Sequence, residues 1–161
     1  MIKIRIEKDP DPELEQPDDE ICCNVLRTVL EDCGVDDGII TTIFGQDELL
    51  LSLKKQFFKK NQFTDVIAFR LNNYEEKTVE GEVYISLPRA KENAKIFGEP
   101  FEKEVVKLLI HGVLHLLGYD DSSKKSKKEM TLLEDTYLKM VHWKKLFTKK
   151  SLAYNDRHES E

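Results

Sequence analysis

Apolar positions change period several times along the chain, and each change marks an element. Ile2, Ile4 and Ile6 alternate with Lys3 and Arg5, which sets three β-branched side chains on one face of a half-buried first strand. Asp9-Pro10-Asp11-Pro12 is a turn or extended link, because proline prevents helix there. After Pro17 the period lengthens. Asp18, Asp19 and Glu20 suit a first helical turn, Ile21, Val25, Leu26 and Val29 follow at helical spacing, and Gly34 stops the helix. The β-branched run at 38–45, bounded by glycines, predicts a second strand. Asp47 is placed to cap a helix that turns Leu49, Leu50, Leu53 and Phe57 inward. Residues 63–69 are mostly apolar and predict a third, central strand. A polar loop at 71–78 leads to a fourth strand at 79–86, its start weakened by Gly81.

Helical spacing then takes over. Pro88 opens a helix with Ala90, Ala94 and Phe97 inward, and Gly98-Glu99-Pro100 breaks it. Pro100, Glu102 and Glu104 open the next helix, which is apolar nearly all round from Val105 to Leu117 and so belongs in the centre of the domain. A last helix over 123–147 turns Met130, Leu133, Tyr137, Met140 and Val141 inward, and residues 151–161 form a frayed tail. The pattern predicts an α+β fold: a small mixed four-stranded sheet packed with about five helices. It forms one domain over residues 1–150.

The most distinctive stretch lies in the central helix and just after it, His111-Gly112-Val113-Leu114-His115-Leu116-Leu117-Gly118-Tyr119-Asp120-Asp121. Histidines four apart on a helix lie roughly 5–6 Å apart at Cβ. Two imidazoles at that separation can share one metal ion through bonds of about 2.0–2.1 Å. Gly118 can end the helix in a left-handed turn, after which Asp120 or Asp121 can return a carboxylate to the same ion. Three protein ligands and an open position are the arrangement of catalytic rather than structural zinc. Two histidines and a carboxylate also suit iron(II) or nickel. A zinc protease helix of the H-E-x-x-H type has its general base beside the first histidine, where this chain has Gly112.

The stretch resembles the signature H-G-x-L-H-L-x-G-Y-D-H of the YbeY family, bacterial metal-dependent endoribonucleases of ribosomal RNA maturation. Only the last position departs, with Asp121 in place of histidine. Phe63-Thr64-Asp65-Val66-Ile67-Ala68-Phe69 resembles the family's P-T-D/N-V-L/I-S/T-F strand. Gly81-Glu82-Val83-Tyr84-Ile85-Ser86 resembles its G-D/E-I/V-x-I-S/C strand, and Ala90, Glu92, Asn93 and Ala94 fit the helix after it. The family's site is three histidines on one metal, which implies His111, His115 and Asp121 as the ligands of a single Zn2+ per chain. A charged oxygen replacing a neutral nitrogen makes the bound water less acidic. With no acid beside His111, a metal-bound hydroxide is the expected nucleophile, and Asp120 or Glu82 is a candidate to orient the water. Capping the turn amides is the alternative role for Asp120. The family commonly has an arginine, thought to contact RNA, shortly before the P-T-D/N-V strand. In ungapped register Phe58 stands there, with Lys59 and Lys60 beside it.

Composition narrows the partners. The chain is 40% hydrophobic and 35% charged, and no apolar run reaches the roughly 18 residues of a membrane span. The alternating N-terminus reads as a strand rather than a signal peptide, which points to the cytoplasm. Cys22, Cys23 and Cys33 show no paired spacing and read as free thiols. Net charge is −6, a poor match to nucleic acid if averaged, yet the lysines cluster. Lys59 and Lys60 and, just after the histidine stretch, Lys124 and Lys125 are candidate RNA contacts, since local field rather than net charge decides phosphate binding. Three functions remain open. One is a zinc-dependent endoribonuclease on single-stranded RNA in ribosomal RNA maturation and ribosome quality control. Another is a non-catalytic assembly factor docking on ribosomal particles or proteins with a structural metal. The third is a metal hydrolase on a non-RNA substrate.

Overall fold

The computed structural model describes residues 1–9 and 14–147. The proline-rich link at 10–12 and the tail at 151–161 lie outside them. In chain order the elements are β1 (Ile2–Lys8), α1 (Asp19–Asp32), β2 (Gly38–Gly45), α2 (Asp47–Phe58), β3 (Val66–Arg70), β4 (Val79–Ser86), α3 (Leu87–Phe97), α4 (Phe101–Leu116) and α5 (Lys124–Met140), with a 3-10 turn at Trp143–Lys145. The sheet order is β1-β2-β4-β3. β1, β2 and β4 run parallel, and β3 pairs antiparallel with β4, setting Val66 opposite Ile85 and Arg70 opposite Gly81. The fold is the mixed α+β arrangement read from the sequence.

Local chemistry explains most boundaries. The Asp18 side chain accepts from the Ile21 amide at 3.0 Å and starts α1, satisfying an amide that has no partner within the helix. Gly34 at φ +84° closes that helix. Ser86 caps α3 through the Arg89 amide, and Pro88 occupies its first turn. α4 packs against α1, α3, α5, β3 and β4. Val105, Val106, Leu109, Ile110, Val113, Leu114 and Leu116 have no exposed surface at all. Each such side chain contributes roughly 1.5–3 kcal/mol relative to solvent exposure, so α4 is the centre of the core, as its apolar run predicts. Cys22, Cys23 and Cys33 are free, and burial pushes the Cys22 thiol pKa up.

Several expectations are corrected. Residues 63–69 do not form a central strand, for β3 covers only Val66–Arg70 and lies at the sheet edge. Its apolar character is explained by cover on both faces. Val66 and Ala68 pack on the core, and the Phe69 ring meets Phe57, Phe58 and Tyr84 at centroid distances of 5.2, 6.0 and 5.8 Å. Asp47 does not cap α2. It accepts instead from Ser86 Oγ at 2.6 Å and pairs with Arg89 at 2.9 Å, tying α2 to α3. Of the residues expected to face inward from α2, Leu50 alone is fully buried, while Phe57 is exposed. Phe97 and Met140 are exposed as well. The last helix stops at Met140 instead of reaching 147. Beyond it the chain bends back, the Leu146 carbonyl accepts from the Asp18 amide at 3.0 Å, and Phe147 stacks on Phe101.

Candidate metal centre

His111 and His115 occupy successive turns near the end of α4, and their Nε2 atoms lie 2.9 Å apart. The helix then stops in a Schellman turn. Gly118 adopts φ +98°, its amide bonds the His115 carbonyl, and the Tyr119 amide bonds the Leu114 carbonyl, both at 3.0 Å. That reversal carries Asp121 back to the histidines, with its carboxylate oxygens 3.5 Å from His111 Nε2 and 3.7 Å from His115 Nε2. One donor atom from each of the three lies within 4.8 Å of the others. Asp121, rather than Asp120, is the acid the turn delivers. Asp120 is exposed and stands outside the cluster, although its charge reaches His115.

Gly112 has a packing explanation. A Cβ there would come within 2.5 Å of Val83 Cγ1 on β4, so the helix crosses the sheet too closely for any larger residue. The position that holds a protease's general base therefore faces the sheet, away from the site. The same contact disposes of Glu82. Val83 faces α4, and the strand alternation sends Glu82 to the other side of the sheet, where its charge raises the pKa of Tyr84 after burial has done so. Glu82 is thus unable to orient a water between the histidines.

Two acids that sequence reasoning passed over do stand near the centre. Glu134 on α5 is 4% exposed, and its carboxylate lies 2.9 Å from His111 Nδ1. A metal on Nε2 requires the His111 proton on Nδ1, and the Glu134 carboxylate stands where it would accept it, leaving Nε2 towards His115 and Asp121. The signal was legible, for Glu134 sits in line with Met130, Tyr137 and Leu138 on the buried stripe of α5. Asp65, at the entry to β3, lines the same cleft and accepts from Asn93 at 2.9 Å. It stands in the strand motif quoted above, but nothing in that motif assigned it to the cleft.

Electrostatics separate the two imidazoles. Burial opposes charge on His111, but the hydrogen bond and charge of Glu134, joined by Asp121 and Asp65, raise its pKa overall. For His115, burial and the neighbouring His111 lower it. Glu104, two turns before His111 on α4, is 4% exposed. Burial pushes its carboxyl up against the pull of Lys107, with help from Asp65, Glu134 and Glu99.

The donors fit a divalent cation. Two imidazole nitrogens 2.9 Å apart are within the span of two bonds of about 2.0–2.1 Å to a common centre. His111 is held in the tautomer that leaves Nε2 free, which is the usual role of a carboxylate behind a metal-bound histidine. The cluster opens onto a cleft of about 330 Å³ whose other walls include Lys54, Phe58, Thr64 and Asp65. Lys59, Lys60, Lys124 and Lys125 are all exposed but do not line it. An open cleft over two histidines and a carboxylate is the architecture of metal-dependent hydrolases as a class.

Comparison with known proteins narrows the class. The sequence model described as "Endoribonuclease YbeY" matches residues 6–142. A protein of that name from Flavobacterium psychrophilum is 38% identical over 121 residues, 75% of this chain and 85% of that one. Another from Chlorobaculum tepidum is 36% identical, covering 75% of this chain and 87% of its own length. A solution structure from Thermotoga maritima superposes with a TM-score of 0.59 at 29% identity, covering 86% of this chain and 87% of the other. The chain belongs to the YbeY endoribonuclease family.

Proposed function

We propose that this chain is a zinc-dependent endoribonuclease that hydrolyses single-stranded RNA in ribosomal RNA maturation and ribosome quality control, working in the cytoplasm on ribosomal RNA precursors and ribosomal particles. The observation that carries the reading is the convergence of His111, His115 and Asp121 at an open cleft. Family membership supplies the RNA phosphodiester as substrate class. Among the described residues no helix is long and apolar enough to cross a membrane.

In this reading His111, His115 and Asp121 hold the ion, and Glu134 fixes the ring of His111. A bound divalent ion supplies Lewis acidity and lowers the pKa of a coordinated water. Asp121 is a charged donor, so it tempers that acidification relative to a third imidazole. Asp120, exposed at the lip of the turn, orients the attacking water. Lys59 and Lys60 at the end of α2, with Lys124 and Lys125 at the start of α5, take backbone phosphates beyond the cleft.

The test is metal content by elemental analysis, with cleavage of single-stranded RNA, on wild type, His115→Ala and Asp121→Ala. We expect cleavage to vanish in chelator and to return with zinc. His115→Ala should lose at least about 100-fold in activity, and Asp121→Ala should lose much of its metal. Cleavage that persists in chelator would overturn the metal mechanism. Full occupancy in Asp121→Ala would remove Asp121 from the ligand set. RNA binding without cleavage by the zinc-loaded wild type would favour an assembly factor.

A further inference from the structure

Phe58 is the last residue of α2 and is 44% exposed, and its ring lines the cleft that holds His111, His115 and Asp121. The ring is not loose. It stacks on Phe69 with centroids 6.0 Å apart and planes 24° apart, and Phe69 is braced edge-on by Phe57 and Tyr84. A side chain braced in this way has little freedom left to lose when a ligand lands on it. Lys54, one turn earlier on α2, holds Nζ 4.8 Å from the Phe58 centroid and lines the same cleft. One cleft thus offers a candidate metal centre, a flat aromatic face and a lysine ammonium. A nucleic acid strand uses all three, through its phosphodiester, its base and its next phosphate.

We propose that Phe58 is the platform on which an unpaired base of the substrate stacks beside the scissile phosphate, and that Lys54 leaves the ring for a backbone phosphate as the base arrives. This rests on the nuclease reading above and adds to it the origin of single-strand preference. Bases within a duplex have both faces occupied by neighbours, so only a splayed or unpaired base reaches the ring. Every base has a π-face, so the platform tolerates sequence. Phe57 and Phe63 are also exposed but do not line the cleft, and they take no part in the assignment.

The test is the affinity of a short end-labelled oligoribonucleotide, measured by fluorescence anisotropy on the zinc-loaded protein at a temperature where no turnover is detected. A single abasic position is walked along the strand. For the wild type we expect one abasic position to weaken binding roughly 5- to 150-fold. Phe58→Leu should weaken the intact RNA by a similar factor and abolish the difference between intact and abasic strands, and Phe58→Trp should restore both. Lys54→Met should flatten the salt dependence by about 0.7 in log–log slope, one phosphate contact. Unchanged affinity in Phe58→Leu, an abasic penalty that survives in that variant, or no RNA binding by the wild type would overturn the proposal. Metal-dependent cleavage, assayed alongside on the wild type, reports separately on the nuclease reading. Cleavage with no effect at Phe58 would sink the platform alone.

Discussion

On the side of α4 that meets the sheet, Gly112 lets the backbone approach until even a methyl group would strike Val83. On the side that carries the histidines, two carboxylates, Glu104 and Glu134, stand 4% exposed in the same core. Burying an ionisable group without a partner is costly, and burying a methyl group is favourable. The first face therefore serves stability alone. The second retains acids that stability by itself would replace, and the hydrogen bond from His111 to Glu134 says what one of them is for.

Substitutions on each face should separate these roles. Leu109→Ala on the fully buried side should have the largest effect, about 2–5 kcal/mol of stability by denaturant unfolding, with metal content per folded molecule unchanged. If Leu109→Ala stripped the metal at constant foldedness, the two faces would not be separate. Glu134→Gln should do the reverse. It should reduce metal affinity or activity about 10- to 100-fold, equivalent to about 1.4–2.7 kcal/mol, and spare the unfolding midpoint measured in chelator. A variant with full metal affinity would demote Glu134 to packing. Gly112→Ala should cost about 1–3 kcal/mol, because the new methyl group meets a β-branched side chain on a sheet strand.

The smallest effect is expected at Glu104, whose carboxyl pKa burial raises. A raised folded-state pKa means the native chain binds its proton more tightly than the unfolded chain does. Stability then falls as pH climbs from the ordinary carboxyl value through the raised one, and stays lower above it. Glu104→Gln should therefore raise Tm at pH 7 and raise it less at pH 4, as scanning calorimetry would record. Lys107 opposes the shift, while Asp65, Glu134 and Glu99 reinforce it. A larger gain at pH 4 would contradict this account.

Much of this contrast was visible in the one-dimensional pattern. Strand alternation and helical period located nine elements, because each buries one face and the spacing of apolar residues records which. The histidine pair and Gly118 were legible for a related reason, since helix geometry fixes i, i+4 neighbours and a glycine stop. What escaped was contact between distant segments. β3 looked central because an apolar strand covered by aromatics at an edge has the same composition as an interior one. Phe97 and Met140 followed the helical period yet face solvent, since periodicity says which face turns inward but not where the neighbouring element ends. Phe58 lines the histidine cleft because the end of α2 borders it, and no local pattern brings those two segments together. Glu134 needed only a closer look, for an acid on a buried stripe signals a partner across the interface.

The three donors do not share one element. Two belong to a helix, and the third arrives only after the backbone has passed the left-handed residue at Gly118. A cation gripped by all three recognises a shape that exists in the folded chain and nowhere else. With zinc as proposed, supply of the ion at a hundredfold over its dissociation constant would hold the native state by about a further 2.7 kcal/mol. Loss of the ion would then loosen the fold as well as remove the chemistry, so the site's own occupancy is written into the stability of the domain.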